Sequence, residues 1–112
     1  MKILISPAKS LDFDSTIDSL KCTQPVFLNK TSEINSVLKE KSPKDLMQLQ
    51  GISQKLSDLN WKRNNDYVDD HNNKNSRPAV YAFNGDVYNG IDVKTLSEDK
   101  VYDLQKSLRI LS

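Results

Sequence analysis

The chain has 112 residues, of which 37% are hydrophobic and 28% charged, and its formal net charge is +1 at pH 7. This length suits one domain, and so small a charge provides no global attraction to nucleic acid. Its apolar runs are shorter than the roughly 20 residues that a membrane-spanning helix needs, and no signal peptide is recognisable. We therefore expect a soluble globular protein, and the single cysteine, Cys22, favours the reducing cytoplasm.

The amino-terminal residues form a compact apolar run that Pro7 ends, and this pattern predicts a buried strand near residues 2–6. The loop that follows carries two hydroxyl groups and Lys9. Such groups suit the binding of a phosphate or carboxylate, although a solvated loop would have the same composition. Residues 11–25 sustain no period, so irregular structure is predicted there.

The first helical signal begins near Thr31. Ser32 is a suitable helix cap, and Ile34, Val37 and Leu38 follow at the spacing of one helical face. The pattern predicts a helix that starts at Ser32 and buries this narrow apolar face.

A second helix start is stronger, because Ser42 is a good cap and Pro43 suits the first helical position. An acidic residue, Asp45, follows in the first turn. Leu46 and Leu49 are predicted to form the buried side of this helix.

Residues 44–60 have the pattern of two short helices joined by a glycine-containing turn, Gly51–Ile52–Ser53. In a helix-hairpin-helix such a turn lets the backbone approach closely, and amides at the start of the second helix point at a nucleic-acid phosphate. Lys55 would lie one turn into that helix. A packed helix-turn-helix corner with Ser53 as a simple cap is an equally good interpretation.

The run at residues 79–83 is apolar and β-prone, which predicts a buried strand entered from Pro78. Gly85 and Asp86 then indicate a turn, with Gly85 suited to a positive φ and Asp86 accepting backbone hydrogen bonds. Strand ends of this kind carry ligand sites in α/β sheets, but a plain tight turn fits the pattern as well.

The last predicted elements are a helix capped by Ser97 and an apolar strand near residues 108–111. Together the elements predict a mixed α/β (α+β) fold. Its central sheet would contain strands near 2–6, 79–83 and 108–111, with helices between them.

Four separated blocks of this sequence resemble the YaaA peroxide-stress-resistance family. They match in order and at matching spacing, and they comprise Ser6–Pro7–Ala8–Lys9 with Leu11–Asp12–Phe13, the segment from Leu46 to Asn60 with Arg63, the run Phe83–Gly90, and Leu108–Ser112. Members of that family are about twice this length, so the resemblance implies the amino-terminal part of a single, truncated domain.

The resemblance further implies a cytoplasmic protein that binds DNA, without strong sequence preference, in the response to hydrogen peroxide and oxidative stress. The phosphate contacts would come from one cleft, whose residues are Lys9, Gly51, Ile52, Ser53, Gln54, Lys55 and Arg63. An alternative is an enzyme that acts on a nucleic-acid base or nucleotide in the same cleft, with Lys9, Asp86 and Tyr88 as candidate catalytic residues. Whether any reaction is catalysed stays open.

Neither a metal nor a cofactor is expected. The only histidine is His71, the only cysteine is Cys22, and carboxylates do not recur at ligand spacing. The partner expected is therefore DNA alone, with no membrane, and the oligomeric state stays open.

Overall fold

A computed structural model describes residues 1–18 and 22–112. Its elements, in chain order, are β1 (Ile3–Ile5), β2 (Ser10–Leu11), α1 (Leu28–Lys39), α2 (Pro43–Gln50), α3 (Gln54–Asp66), α4 (Ala79–Ala82), β3 (Phe83–Asn84), α5 (Asp86–Ile91), a short 3₁₀ helix (Val93–Thr95), α6 (Glu98–Ser107) and β4 (Leu108–Ile110). They divide into two compact units. The first contains Met1–Thr23 and Asn72–Ser112, and the second contains Gln24–His71.

The first unit contains two small sheets. β1 and β4 pair in parallel with Leu4 opposite Arg109, while β2 and β3 pair antiparallel with Leu11 opposite Phe83. The predicted strands near 2–6 and 108–111 are thus confirmed, as is the mixed α+β class. Irregular structure is predicted for residues 11–25, but Leu11 belongs to β2, so the irregular segment begins after it.

The strand predicted at 79–83 is wrong for most of its length. Residues 79–82 form the helical turn α4, in which the amides of Tyr81 and Ala82 donate to the Pro78 carbonyl at 2.9 and 3.2 Å. Only Phe83 continues into a strand, and it joins β2 instead of β1 and β4. A short apolar run does not distinguish a buried strand from a buried helical turn, and proline favours the start of a helix.

The buried apolar side chains of the first unit come from this region and from the helices after it. Tyr81, Ala82, Tyr88 and Val93 are each buried. Gly85 lies between them in extended backbone, with φ 171°, so the predicted positive φ is wrong. Three short helical segments, α4, α5 and the 3₁₀ helix, therefore provide the buried side chains that lie beside the loop after β1.

The second unit is helical, and its α2 begins as predicted. The Ser42 hydroxyl accepts from the Asp45 amide at 3.2 Å, and the Asp45 carboxylate accepts from the Ser42 amide at 2.9 Å. Leu46 is fully buried, but Leu49 is 67% exposed, so the prediction for Leu49 is wrong. The period alone does not say how wide the buried side of so short a helix is.

The first helix of this unit differs most from its prediction. α1 begins at Leu28, four residues before the predicted cap Ser32. Ile34 and Val37 are exposed, whereas Asn35 is buried, so the helix presents a different face to α3 than the apolar spacing indicated. α3 is packed closely because its fully buried residue is the small Ser57.

The last helix confirms its predicted start, since Ser97 is the residue before α6 and Glu98 and Asp99 lie in its first turn. Their negative charges are favourable at a helix N-terminus. Among the residues described, no helix is both long and apolar enough to cross a membrane.

Candidate functional site

The loop after β1 lies directly against the turn that follows β3. An ideal Cβ placed on Gly85 would lie 3.4 Å from the Ala8 Cβ, so glycine leaves just enough room for this loop. The Tyr88 hydroxyl donates to the Ser6 carbonyl at 2.6 Å. These two contacts, together with the β2–β3 pair, bring the first and third blocks of the family resemblance together within the first unit.

The three candidate catalytic residues occupy different environments in this region. Lys9 and Asp86 are exposed, and Asp86 lies in the first turn of α5. Tyr88 is buried, and its burial raises the pKa of its hydroxyl above the usual value. Because the Tyr88 hydroxyl donates to the Ser6 carbonyl, it positions the loop there, and a catalytic role for Tyr88 stays a prediction.

Next to this loop, four polar side chains meet that the sequence reasoning did not bring together. The Asp12 carboxylate accepts from the Ser15 hydroxyl, and the Lys94 ammonium donates to the same hydroxyl at 2.6 Å. Arg77 donates to the Ser15 carbonyl at 2.9 Å and to the Phe13 carbonyl at 3.0 Å. Asp12 lies 3.9 Å from Arg77 and 3.7 Å from Lys94, so one carboxylate faces two cations.

The electrostatics of this cluster follow from its hydrogen bonds. The Ser15 hydroxyl, the Ser15 and Asp14 amides and the Lys94 charge together hold the pKa of Asp12 well below its usual value. A carboxylate with so low a pKa is a weak base, and the Ser15 hydroxyl is already bonded to Asp12, Lys94 and Arg77. The cluster is thus suited to fixing the loop and to presenting net positive charge, and poorly suited to activating Ser15 as a nucleophile.

Only part of this cluster is recognisable in the sequence. Asp12 accepts from the amides two and three residues further along, at 3.0 and 2.9 Å, which is the local bonding that an Asp followed by a polar turn indicates. Arg77 and Lys94 lie more than sixty residues away in the chain. No local pattern brings them to Asp12, so only the tertiary structure reveals this contact.

A cavity of about 320 Å³ adjoins the cluster in the first unit. Its residues are Phe13, Ile17, Asp18 and the segment 73–78. Arg77 forms part of its wall, with the guanidinium 6.0 Å from the centre of the Phe13 ring. The cavity therefore combines an aromatic surface, a fixed cation and several amide and hydroxyl groups, which suits a small polar ligand.

The predicted hairpin residues lie in the second unit, at the turn between α2 and α3. Gly51 has φ 61° and ψ 41°, the left-handed conformation that ends many helices. The Ile52 amide donates to the Met47 carbonyl at 3.3 Å, and the Ser53 hydroxyl accepts from the Leu56 amide at 3.3 Å. The predicted roles of Gly51 and Ser53 in the turn are confirmed, but that this corner is a DNA-binding helix-hairpin-helix stays a prediction.

Side chains on α3 make the corner rigid and carry its charge. The Asn60 amide donates to the Gln50 side chain at 2.9 Å, which ties the two helices together beyond the turn. Gln54 donates to Asp58 at 2.8 Å, one turn further along α3. Lys55 and Arg63 are both exposed on the same helix. The structure therefore brings the hairpin residues into one corner, with cations along the second helix.

The predicted cleft contains residues from both units. Lys9, Asp86 and Tyr88 lie in the first unit, and residues 51–55 and Arg63 lie in the second, so their common cleft stays a prediction. Across the described ranges, 1–18 and 22–112, no group of three or more His, Cys, Asp or Glu side chains is arranged to hold a metal ion.

Comparison with known proteins identifies the family. The family model of the peroxide stress protein YaaA matches residues 1–112. UPF0246 proteins of Flavobacterium psychrophilum, Flavobacterium johnsoniae and Idiomarina loihiensis are 49%, 48% and 44% identical over all of this chain. The chain spans 44%, 44% and 43% of their lengths and matches their amino-terminal part. The chain therefore belongs to the YaaA family of peroxide stress proteins.

Proposed function

We propose that this chain binds the sugar-phosphate backbone of DNA, without strong sequence preference, through the corner between α2 and α3. The observation that carries the proposal is the left-handed turn at Gly51 that leads directly into a capped helix with Lys55 in its first turn. In the peroxide-stress response of this family, such binding would hold the protein on DNA that peroxide damages.

The first support is the arrangement of backbone amides at the start of α3. Helix geometry leaves the first amides without intrahelical partners. The Ser53 hydroxyl accepts from the Leu56 amide. Within the described residues no hydrogen-bond partner is found for the backbone amides of Gln54 and Lys55. These amides, at the positive end of the helix dipole, suit a phosphate oxygen.

The second support is the charge of α3. Lys55 and Arg63 are exposed, and Lys62 is exposed as well, although it pairs with Asp66. Because each lysine or arginine that neutralises a phosphate releases counterions, the proposal predicts binding that weakens as salt is added.

The test is fluorescence anisotropy of labelled duplex, nicked and single-stranded DNA with the whole chain across a salt series. We expect affinity to fall linearly on a log–log plot against salt, and Lys55→Gln to reduce the slope by about 1 because one phosphate contact is lost. Lys30→Gln is the matched control, since Lys30 is an exposed cation already paired with Glu33 at 3.1 Å on α1. Absence of binding, or equal effects of the two variants, would contradict the proposal.

A second candidate function is favoured by the cavity in the first unit: an enzyme or receptor for a nucleic-acid base or nucleotide. Phe13 offers a ring for stacking, and Arg77 a fixed cation, at the wall of a cavity of about 320 Å³. Calorimetric titration with nucleoside monophosphates tests this function. Phe13→Leu should weaken binding about tenfold if a base stacks there.

A further inference from the structure

Two of the three glycines in the chain follow an asparagine, at Asn84–Gly85 and at Asn89–Gly90. An asparagine side chain can react with the backbone amide of the next residue, and a glycine there has no Cβ to hinder the approach. In the amino-acid sequence the two pairs are equivalent. The fold places them in different backbone environments, which changes how readily each can react.

The second pair is held inside a helix, because Asn89 and Gly90 both belong to α5. The Asn89 amide donates to the Gly85 carbonyl at 2.8 Å. One residue further along the helix, the same geometry gives the Gly90 amide the Asp86 carbonyl as its partner. The Gly90 nitrogen can therefore react only after α5 opens, and the burial of Tyr88 opposes that opening.

The first pair lies between two elements, where β3 ends and α5 has not yet begun. Asn84 is exposed, and among the described residues no hydrogen-bond partner is found for its side chain or for the Gly85 amide. β3 has only two residues, so its pairing with β2 is short. Strands this short open readily, and opening frees Asn84 to turn its side chain towards the Gly85 nitrogen.

We propose that Asn84 is a site of spontaneous deamidation in the folded chain, whereas Asn89 is protected. The Gly85 nitrogen attacks the side-chain carbonyl carbon of Asn84, and the new carbon–nitrogen bond closes a five-membered succinimide ring. The bond from that carbon to the side-chain nitrogen breaks, and ammonia leaves with the proton of the Gly85 amide. Water, the only co-reactant, then opens the ring at one of its two carbonyl groups, which yields aspartate or isoaspartate at position 84.

The modification changes both the charge and the backbone of this region. Either product removes one unit from the formal net charge of +1 and places a carboxylate opposite Ser10. Isoaspartate also lengthens the main chain by one carbon atom just before Gly85. Because Gly85 lies close to Ala8, the added atom should disturb this contact and the pairing of β2 with β3. The proposal is independent of DNA binding at the α2–α3 corner.

The test incubates the whole chain at neutral and at mildly alkaline pH and follows both asparagines by peptide mapping with mass spectrometry. We expect Asn84 to be converted at least about tenfold faster than Asn89, and faster at the higher pH, because a base must remove the Gly85 proton. A carboxyl methyltransferase specific for isoaspartate, supplied with labelled S-adenosylmethionine, should label the peptide that contains position 84. In urea, where α5 is unfolded, the two asparagines should react at similar rates.

Two alanine variants separate the chemistry from the stability of the fold. Gly85→Ala should slow the reaction of Asn84 at least about tenfold, because the added Cβ hinders the attack. Gly90→Ala is the matched control and should leave that rate unchanged, since its Cβ would meet nothing within 4 Å.

Three outcomes would overturn the proposal. The first is equal rates at Asn84 and Asn89 in the folded chain. The second is an unreactive Asn84 in the folded chain under conditions in which the chain in urea reacts there. The third is a rate at Asn84 that Gly85→Ala and Gly90→Ala change equally, because the Gly85 nitrogen would then not be the attacking group.

Discussion

Two glycine turns, one in each unit, look alike in the sequence but differ in what limits their substitution. Gly51 has φ 61°, and a Cβ added to it would meet nothing within 4 Å. Gly85 has the extended φ of 171°, which any residue adopts, but its Cβ would lie 3.4 Å from Ala8. The left-handed backbone favours glycine at position 51, whereas the neighbouring Ala8 limits the size of the side chain at position 85.

The difference matters for where ligands could bind. A Cβ added at Gly51 would point into space that is empty within 4 Å, so no other part of the chain closes this position. At Gly85 that space is already filled by the protein's own loop, which Tyr88 holds through the Ser6 carbonyl. The first turn suits binding from outside, whereas the second positions internal structure.

The largest effect is expected from Gly85→Val. Valine would add two γ-carbons beyond a Cβ that already lies 3.4 Å from the Ala8 Cβ, and such overpacking costs about 1–3 kcal/mol. Gly85→Ala is the matched control and should be close to neutral, because 3.4 Å is an ordinary contact distance. Urea denaturation of both variants measures the free energy of unfolding. If alanine and valine cost the same, close packing is not the reason for this glycine.

Gly51→Val should cost less, about 1–2 kcal/mol, because it forces an L-residue into left-handed backbone. The control is Gly51→Asn, whose free energy of unfolding should fall by much less, since asparagine adopts the left-handed conformation more readily than valine. Asparagine should therefore be tolerated at position 51 and not at position 85. The same denaturation experiment checks this reversal, and similar ranking of asparagine at both positions would contradict it.

Tyr88→Phe removes the hydrogen bond that holds the loop at Gly85 and should cost about 0.5–1.5 kcal/mol. Asn60→Ala removes the corresponding tie beside Gly51, but the Asn60–Gln50 bond is exposed and its loss should lie within about 0.5 kcal/mol. Thermal and urea unfolding compare the two. Equal losses would mean that burial of the Tyr88 bond contributes nothing.

The most specific prediction concerns acid stability. The pKa of Asp12 is lowered below 3.8 in the folded state, so the unfolded chain binds its proton more readily. The stabilisation is complete above that value and is lost as the pH falls towards the folded pKa. Denaturation at a series of acidic pH values should therefore show a weaker pH dependence in Asp12→Asn than in the natural chain.

The lowered pKa of Asp45, which results from its bonds to Ser42, provides the comparison in the other unit. Asp45→Asn should also flatten the acid dependence, and the double variant should flatten it further. If Asp12→Asn loses stability on acidification as steeply as the natural chain does, the cluster with Ser15, Arg77 and Lys94 does not hold this carboxylate in solution.

Local chemistry accounts for the elements that sequence reasoning predicted correctly. The capping box of Ser42 and Asp45, the Gly51 turn and the Ser53 cap each depend on side chains within three residues of the backbone groups they bond. The strands near 2–6 and 108–111 could be predicted because each is a short apolar run, and Pro7 ends the first of them. Of the candidate site, the hairpin corner could be predicted in this way, but its ligand could not.

The errors occurred where burial depends on distant parts of the chain. The apolar composition of residues 79–83 suits a buried strand and a buried helical turn equally well. In the folded protein residues 79–82 form the helical turn, which buries Tyr81 and Ala82 in the first unit. The apolar spacing of Ile34 and Val37 predicts a buried face, yet both are exposed and the buried residue of α1 is Asn35.

By itself, the sequence determined the caps at Ser42 and Ser53, the strands near 2–6 and 108–111, the mixed α+β class and, through its separated motifs, the family. Only the tertiary structure decided that Arg77 and Lys94 meet Asp12, that Tyr88 donates to Ser6, and that Ala8 lies against Gly85. The physical reason is the separation along the chain of the residues that interact. Caps and turns are set by bonds between near neighbours, whereas close packing and charge clusters join residues that only the folded backbone brings together.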